Sequence, residues 1–177
     1  MDWSKASNIL IALFLVLDLV LGVYYFGQQM SLRQADMAAA EDTAEFLSER
    51  GAVLSCDIPT GSRRMAVLFV SIERSEEDGP SEYQGMPLVM TGSPGFKAVP
   101  LESGDARAQL IPASRALQNL VSGSFDEAEI RGLEISSIDL VYWVDRSSIQ
   151  DGVGEDTAIP AWRIETSRGT VLVSALQ

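Results

Sequence analysis

ILIALFLVLDLVLGVYYF, residues 9–26, decides the architecture: the run carries one charge, Asp18, and no proline. At about 1.5 Å of rise per residue it approaches the hydrocarbon thickness of a bilayer, which predicts a single transmembrane helix. A cleaved signal peptide competes with this reading, because Ala38, Ala39 and Ala40 supply small residues. The apolar run exceeds the usual signal core and the alanines lie far beyond it, so an uncleaved anchor is favoured. Lys5 precedes the span, Tyr24 and Tyr25 fit the far interface, and the residues after Arg33 turn acidic. This asymmetry predicts a single-pass protein of the cell membrane: a cytoplasmic tip at 1–8, the span at 9–26, and everything beyond it outside the cytoplasm.

Asp18 falls near the middle of the span, where an ionised carboxylate costs about 2.5–3.5 kcal/mol on insertion scales unless it is protonated or meets a partner. Gly22 lies one turn further along the same helical face and leaves room for another backbone to approach. Together they form a candidate partner-binding face within the membrane. The alternative is a protonated Asp18 carried passively by a strongly apolar helix. Trp3, at the cytoplasmic edge, is a candidate interfacial contact, although an anchoring role at the membrane boundary is the favoured reading.

The rest of the chain sets limits on chemistry. Its 177 residues suit one domain beside a span, and 46% hydrophobic content is ordinary for a globular core. A formal charge of −12 argues against nucleic-acid partners, whose recognition needs clustered Lys and Arg. Histidine is absent, which removes the commonest general base and transition-metal ligand. Cys56 is the only cysteine, so no intramolecular disulfide is available and a buried, inert thiol is the expected reading. Without histidine a hydrolase needs a Ser-Lys pair, and beyond the span the only lysine is Lys97. The expectation is therefore a protein that is not an enzyme and holds no cofactor or metal.

Beyond the span, LRQADMAAAEDTAEFLSER (32–50) has neither Gly nor Pro and stops at Gly51, which predicts a juxtamembrane helix or stalk within 27–50. From 51 to 177 the periodicity shifts to short β-rich runs. AVLSCD (52–57) and MAVLFVSIE (65–73) read as strands, and 73–81 as a charged loop. EYQGMPLVMTG (82–92) and FKAVPL (96–101) are weaker strands, confined by Pro87 and Pro100 to edges or ends. QLIPASRALQNLV (109–121) reads as a helix with Pro112 in its first turn and Gly123 as its stop. LEISSIDLVYWVD (133–145) alternates to place Ile138, Leu140, Tyr142 and Val144 on one face, and 159–166 with 170–176 form a hairpin about Ser167, Arg168 and Gly169. Trp162 and Tyr142 are expected in the core. The acidic loop 147–157 lacks the ligand spacing of an EF-hand and reads as solvated. The predicted fold class is α+β: one N-terminal transmembrane helix, then an extracytoplasmic domain of antiparallel strands with two helices.

Three stretches also carry a family resemblance. MDWSKASNILIALFLVLDLVLG (1–22) resembles the start of YycI (WalI) proteins, through Asp2, Trp3, Ser4, Lys5, Asn8 and the run in which Asp18 falls where that family places Asp or Asn. AIPAWRIETSRGTVLVSA (158–175) resembles the family's closing hairpin at Pro160, Ala161, Trp162, Arg163, Ile164, Gly169 and Ala175, and FLSERGAVLSCDIP (46–59) is similar to its first αβ unit. Residues 73–105 lie outside the resemblance. The resemblance implies a membrane-anchored regulator of a two-component sensor histidine kinase (WalK-like), acting beside a YycH-like protein in cell-wall homeostasis of Gram-positive bacteria. An anchored binding module for a cell-wall fragment or peptide is the alternative, and it requires a concave site with convergent polar groups.

Overall fold

In the computed structural model, residues 3–61, 63–75, 81–92, 95–123, 125–146 and 153–176 are described. The first element is one unbroken helix, α1 (Trp3–Glu49), of 47 residues and so about 70 Å long. No break separates the apolar run from the stalk. No proline falls in this stretch, and the Ala, Leu, Glu and Gln beyond Gly27 sustain helix through propensity. The stop is local. Gly51, at φ 85°, donates from its N–H to Ser48 O at 2.9 Å, and the Ala52 N–H donates to Leu47 O at 3.0 Å. This is the Schellman pairing, with Leu47 and Ala52 sharing the apolar contact beneath it.

The strands are β1 (Val53–Leu54), β2 (Arg64–Arg74), β3 (Ser81–Tyr83), β4 (Met86–Thr91), β5 (Phe96–Gln109), β6 (Glu134–Asp145), β7 (Gly154–Thr166) and β8 (Gly169–Ser174). Two short helices, α2 (Ala113–Gly123) and α3 (Glu127–Ile130), lie between β5 and β6. The architecture is α+β as expected, a long apolar helix followed by a β-rich domain. The strand order is β3-β4-β6-β7-β2-β5, with β1 also paired to β6 and β8 to β7. Most pairings are antiparallel; β1–β6 and β4–β6 run parallel, which alternation along single strands does not reveal.

Several expected elements change extent. AVLSCD contributes only the two residues of β1 to the sheet. The weak FKAVPL strand grows to the 14 residues of β5, in which Gly104, Asp105 and Ala106 bulge opposite Val67. A Cβ on Gly104 would stand 3.2 Å from Val67 Cγ2. EYQGMPLV becomes the β3–β4 hairpin, turned by Gln84 (φ 51°) and Gly85 (φ 78°), both left-handed as a type I′ turn requires. Pro100 lies on the edge strand β5, and Pro87 precedes the β4–β6 pairing. The central strand β7 also tolerates Pro160. Its carbonyl accepts from the Ala175 N–H, so its missing N–H faces the same side, where β7 exchanges β2 (through Ala158) for β8 (from Ala161). The acidic loop is shorter than 147–157: residues 147–152 lie outside the described residues, and from Gly154 the chain is β7, paired to β2. Of the charged loop 73–81, residues 76–80 are likewise outside, while 73–74 and Ser81 are strand.

Two cores result. One packs α2, α3 and the end of α1 (Thr43, Leu47) on Ile135, Ile138, Leu140, Trp162 and Ile164. The other lies inside the curl of the sheet, where Leu68, Val70 and Ile72 of β2 meet Leu88, Tyr142 and Val144. The curl is pronounced: β5, at one end of the order, touches β3 and β4 at the other.

Candidate functional site

Asp18 and Gly22 both fall in the exposed stretch of α1, one turn apart on one face. The apolar window of this helix is 0% buried against the described domain, and the helix is long and apolar enough to cross a membrane. A Cβ built on Gly22 meets nothing within 4 Å. That face is therefore unoccupied by any other described part of the chain. Trp3 opens α1, but its side chain lies outside what is described, as does that of Lys5. The domain grips only the distal end of the helix. Ala40, Thr43, Ala44 and Leu47 recur at helical spacing against α2, and Thr43 Oγ1 donates to Ala39 O at 2.7 Å while accepting from Gln118 Nε2 at 2.9 Å.

The domain holds a cleft of about 370 Å³ where β6 lacks a neighbour between its β1 and β4 pairings. Ile138 and Leu140 face Ile164 and Trp162 across β6–β7, four and two residues before Tyr142, which stands opposite Pro160. Since the Pro160 carbonyl turns away from β6, these are the non-hydrogen-bonded pairs, and the backbone groups of Ile138 and Leu140 point into the gap. Asp139 accepts from Arg163 Nη2 at 3.1 Å and from Ser137 Oγ at 3.3 Å. Arg163 also reaches Glu165 at 3.9 Å, and its buried Nε has no hydrogen-bond partner among the described residues. Arg63 and Met86 complete the rim, and the Trp162 indole forms part of the wall, its Nε1–H donating to Ile111 O at 3.0 Å. Sequence reading misses Arg63, Asp139 and Arg163 because their convergence depends on strand register. Only the apposition of two alternating strands could have paired Asp139 with Arg163.

Trp162 and Tyr142, 5% and 4% exposed, are core residues as expected. Cys56 is half-buried rather than buried, because β1 ends at Leu54 and the chain leaves the sheet there. Burial pushes its thiol above the usual range, and the Asp57 and Asp139 carboxylates push it further, opposite to what a nucleophile needs. Lys97 sits opposite Glu73 in the β2–β5 ladder. Among the described residues no group of three or more His, Cys, Asp or Glu is arranged to hold a metal. The molecule thus falls into a structural class, an α+β domain carried on one apolar helix, with an exposed polar face on the helix and a polar cleft in the domain. No protein-family model matches the chain, and no curated protein matches it.

Proposed function

We propose that the chain is a membrane-anchored, non-catalytic regulator of a sensor histidine kinase, with its N-terminus cytoplasmic and its β-rich domain outside. The observation that carries this reading is Asp18 beside Gly22 on a face of α1 that nothing else described covers. An uncompensated carboxylate at mid-bilayer is costly, and a second helix supplying a hydrogen bond removes that cost. The N-terminal likeness to YycI proteins supplies the partner class, a WalK-like kinase with a YycH-like protein. The test compares crosslinking to the kinase and expression of its target genes for wild type, Asp18→Leu and Gly22→Ile at matched membrane levels. Both variants are expected to lower crosslinking and change output, the first by removing the hydrogen bond and the second by blocking close approach. Unchanged crosslinking and output in both would move the interaction to the outer domain. A reporter fused after Gln177 is expected to be active only when exported; cytoplasmic activity would overturn the topology.

A second reading, an anchored module that binds a cell-wall fragment or peptide, is favoured by the 370 Å³ cleft with Arg63, Asp139 and Arg163 at its rim. Under it, Arg63→Gln weakens binding of such a fragment while kinase crosslinking stays at the wild-type level.

A further inference from the structure

We infer that the open end of the curled sheet binds a small oxyanion, a phosphate or carboxylate group, held between Arg64 and Arg107. The two arginines stand on adjacent strands: Arg64 is opposite Gln109, and Arg107 is opposite Ala66, two residues along. Alternation and register put both on the face that bears Ala66, and both line one cavity of about 150 Å³ with Tyr83, Gln84, Ser103 and Tyr142. Both side chains are exposed, and an anion between them relieves the repulsion of two like charges on neighbouring strands.

The chain has 25 acidic residues against 13 basic ones, so carboxylates are plentiful. Arg146, Arg163 and Arg168 each have one within 4 Å. Among the described residues neither Arg64 nor Arg107 has a carboxylate at ion-pair distance or a hydrogen-bond acceptor for its guanidinium, and neighbouring Arg63 is in the same condition. The other donors converge as well. Tyr83 Oη accepts from Gln84 Nε2 at 3.3 Å, which leaves its own hydrogen available to a ligand, and its ring is held edge-on to Tyr142 at 6.0 Å. Tyr142 has spent its hydrogen on Ala66 O at 3.3 Å and serves as wall. Ser103 contributes a hydroxyl from the residue before the bulge.

Planar guanidinium forks match the two-oxygen edge of a phosphate or carboxylate. The cavity's size narrows the ligand further, because pockets for whole organic molecules run to about 300–1,000 Å³, so this one takes a single anionic group or the anionic end of something larger. The inference does not rest on the kinase reading, since it concerns a different surface and needs no partner protein.

The test is thermal unfolding and calorimetric titration of the full chain in non-ionic micelles, with inorganic phosphate, acetate or chloride at matched ionic strength. Phosphate or acetate is expected to raise Tm above the chloride value, and whichever binds more tightly identifies a phosphate or a carboxylate source. Arg107→Gln should weaken that binding roughly tenfold, and Arg64→Gln with Arg107→Gln should abolish it. Arg107→Lys, which keeps the charge and loses the fork, should fall between, and Tyr83→Phe, which keeps the ring, should weaken binding severalfold. Arg115→Gln, on the exposed side of α2, should change nothing. Equal Tm in all three salts, or undiminished binding in the double variant with unchanged circular dichroism, would overturn the site.

Discussion

At the scale of single residues, buried polar atoms decide which substitutions matter. Tyr142→Phe removes the hydroxyl that donates to Ala66 O and is expected to cost about 0.5–1.5 kcal/mol in urea unfolding of the domain, with little change in the packed ring. Arg146, 6% exposed, is held by Asp156 at 3.6 Å. Among the described residues its Nε and Nη1 have no hydrogen-bond partner. Asp156→Asn therefore leaves a buried cation uncompensated and should lower the urea midpoint more than Asp139→Asn, whose partner Arg163 is more exposed and keeps Glu165 nearby. Cys56 titrates above its ordinary value because of burial and two neighbouring carboxylates, as does Tyr142 because of burial and Tyr83. Both groups hold their protons more tightly folded than unfolded. Their contribution is complete below the unfolded pKa values and is lost as pH rises through the folded ones, so stability should fall above about pH 9. Alkylation of native Cys56 at mildly alkaline pH should be slower than in the denatured chain; equal rates would show a thiol of ordinary acidity.

At the scale of elements, the informative junction is α1 against α2. Only the last turns of a 47-residue helix touch the domain, through a narrow apolar stripe and the Thr43–Gln118 bond. Leu47→Ala, at a fully buried position, is expected to cost about 2–5 kcal/mol. Thr43→Val keeps the volume and loses the bond to an exposed amide, so its cost should stay near 1 kcal/mol. Denaturant unfolding of the two variants checks the ordering. The helix end itself is written in the sequence, since Gly51 after an Ala- and Glu-rich run is the residue the Schellman turn requires. β5 is not, because Gly104 and Asp105 carry a turn's composition into what the sheet uses as a bulge.

At the scale of the whole molecule, the stalk end of α1 belongs to the domain's core. A fragment beginning at residue 31 keeps Thr43, Ala44 and Leu47 and is expected to fold as a soluble monomer. One beginning at 51 strips α1 from α2 and opens the core that Leu47 joins, and should unfold at markedly lower urea or associate. Analytical ultracentrifugation with circular dichroism separates these outcomes, and equal stability of the two fragments would make residues 31–50 a mere spacer.

Residues 9–26 determined a membrane-length helix by themselves, because eighteen successive side chains of nearly one chemistry need no partner to be read. Local periodicity along one strand or one helix likewise determined β2, β6, the β7–β8 hairpin and the body of α2, but not its start: the helix expected from Gln109 begins at Ala113, because Gln109 ends β5 and Leu110 bridges Leu176. Asp18 and Gly22 are legible for the same reason, lying one turn apart on one element. The parallel pairings of β6, the gap that opens the cleft and the apposition of Arg64 with Arg107 were decided only in the tertiary structure. Each depends on register between segments distant in the chain, and a shift of one residue would turn Asp139, Arg163 or Arg107 to the opposite face without altering any local pattern.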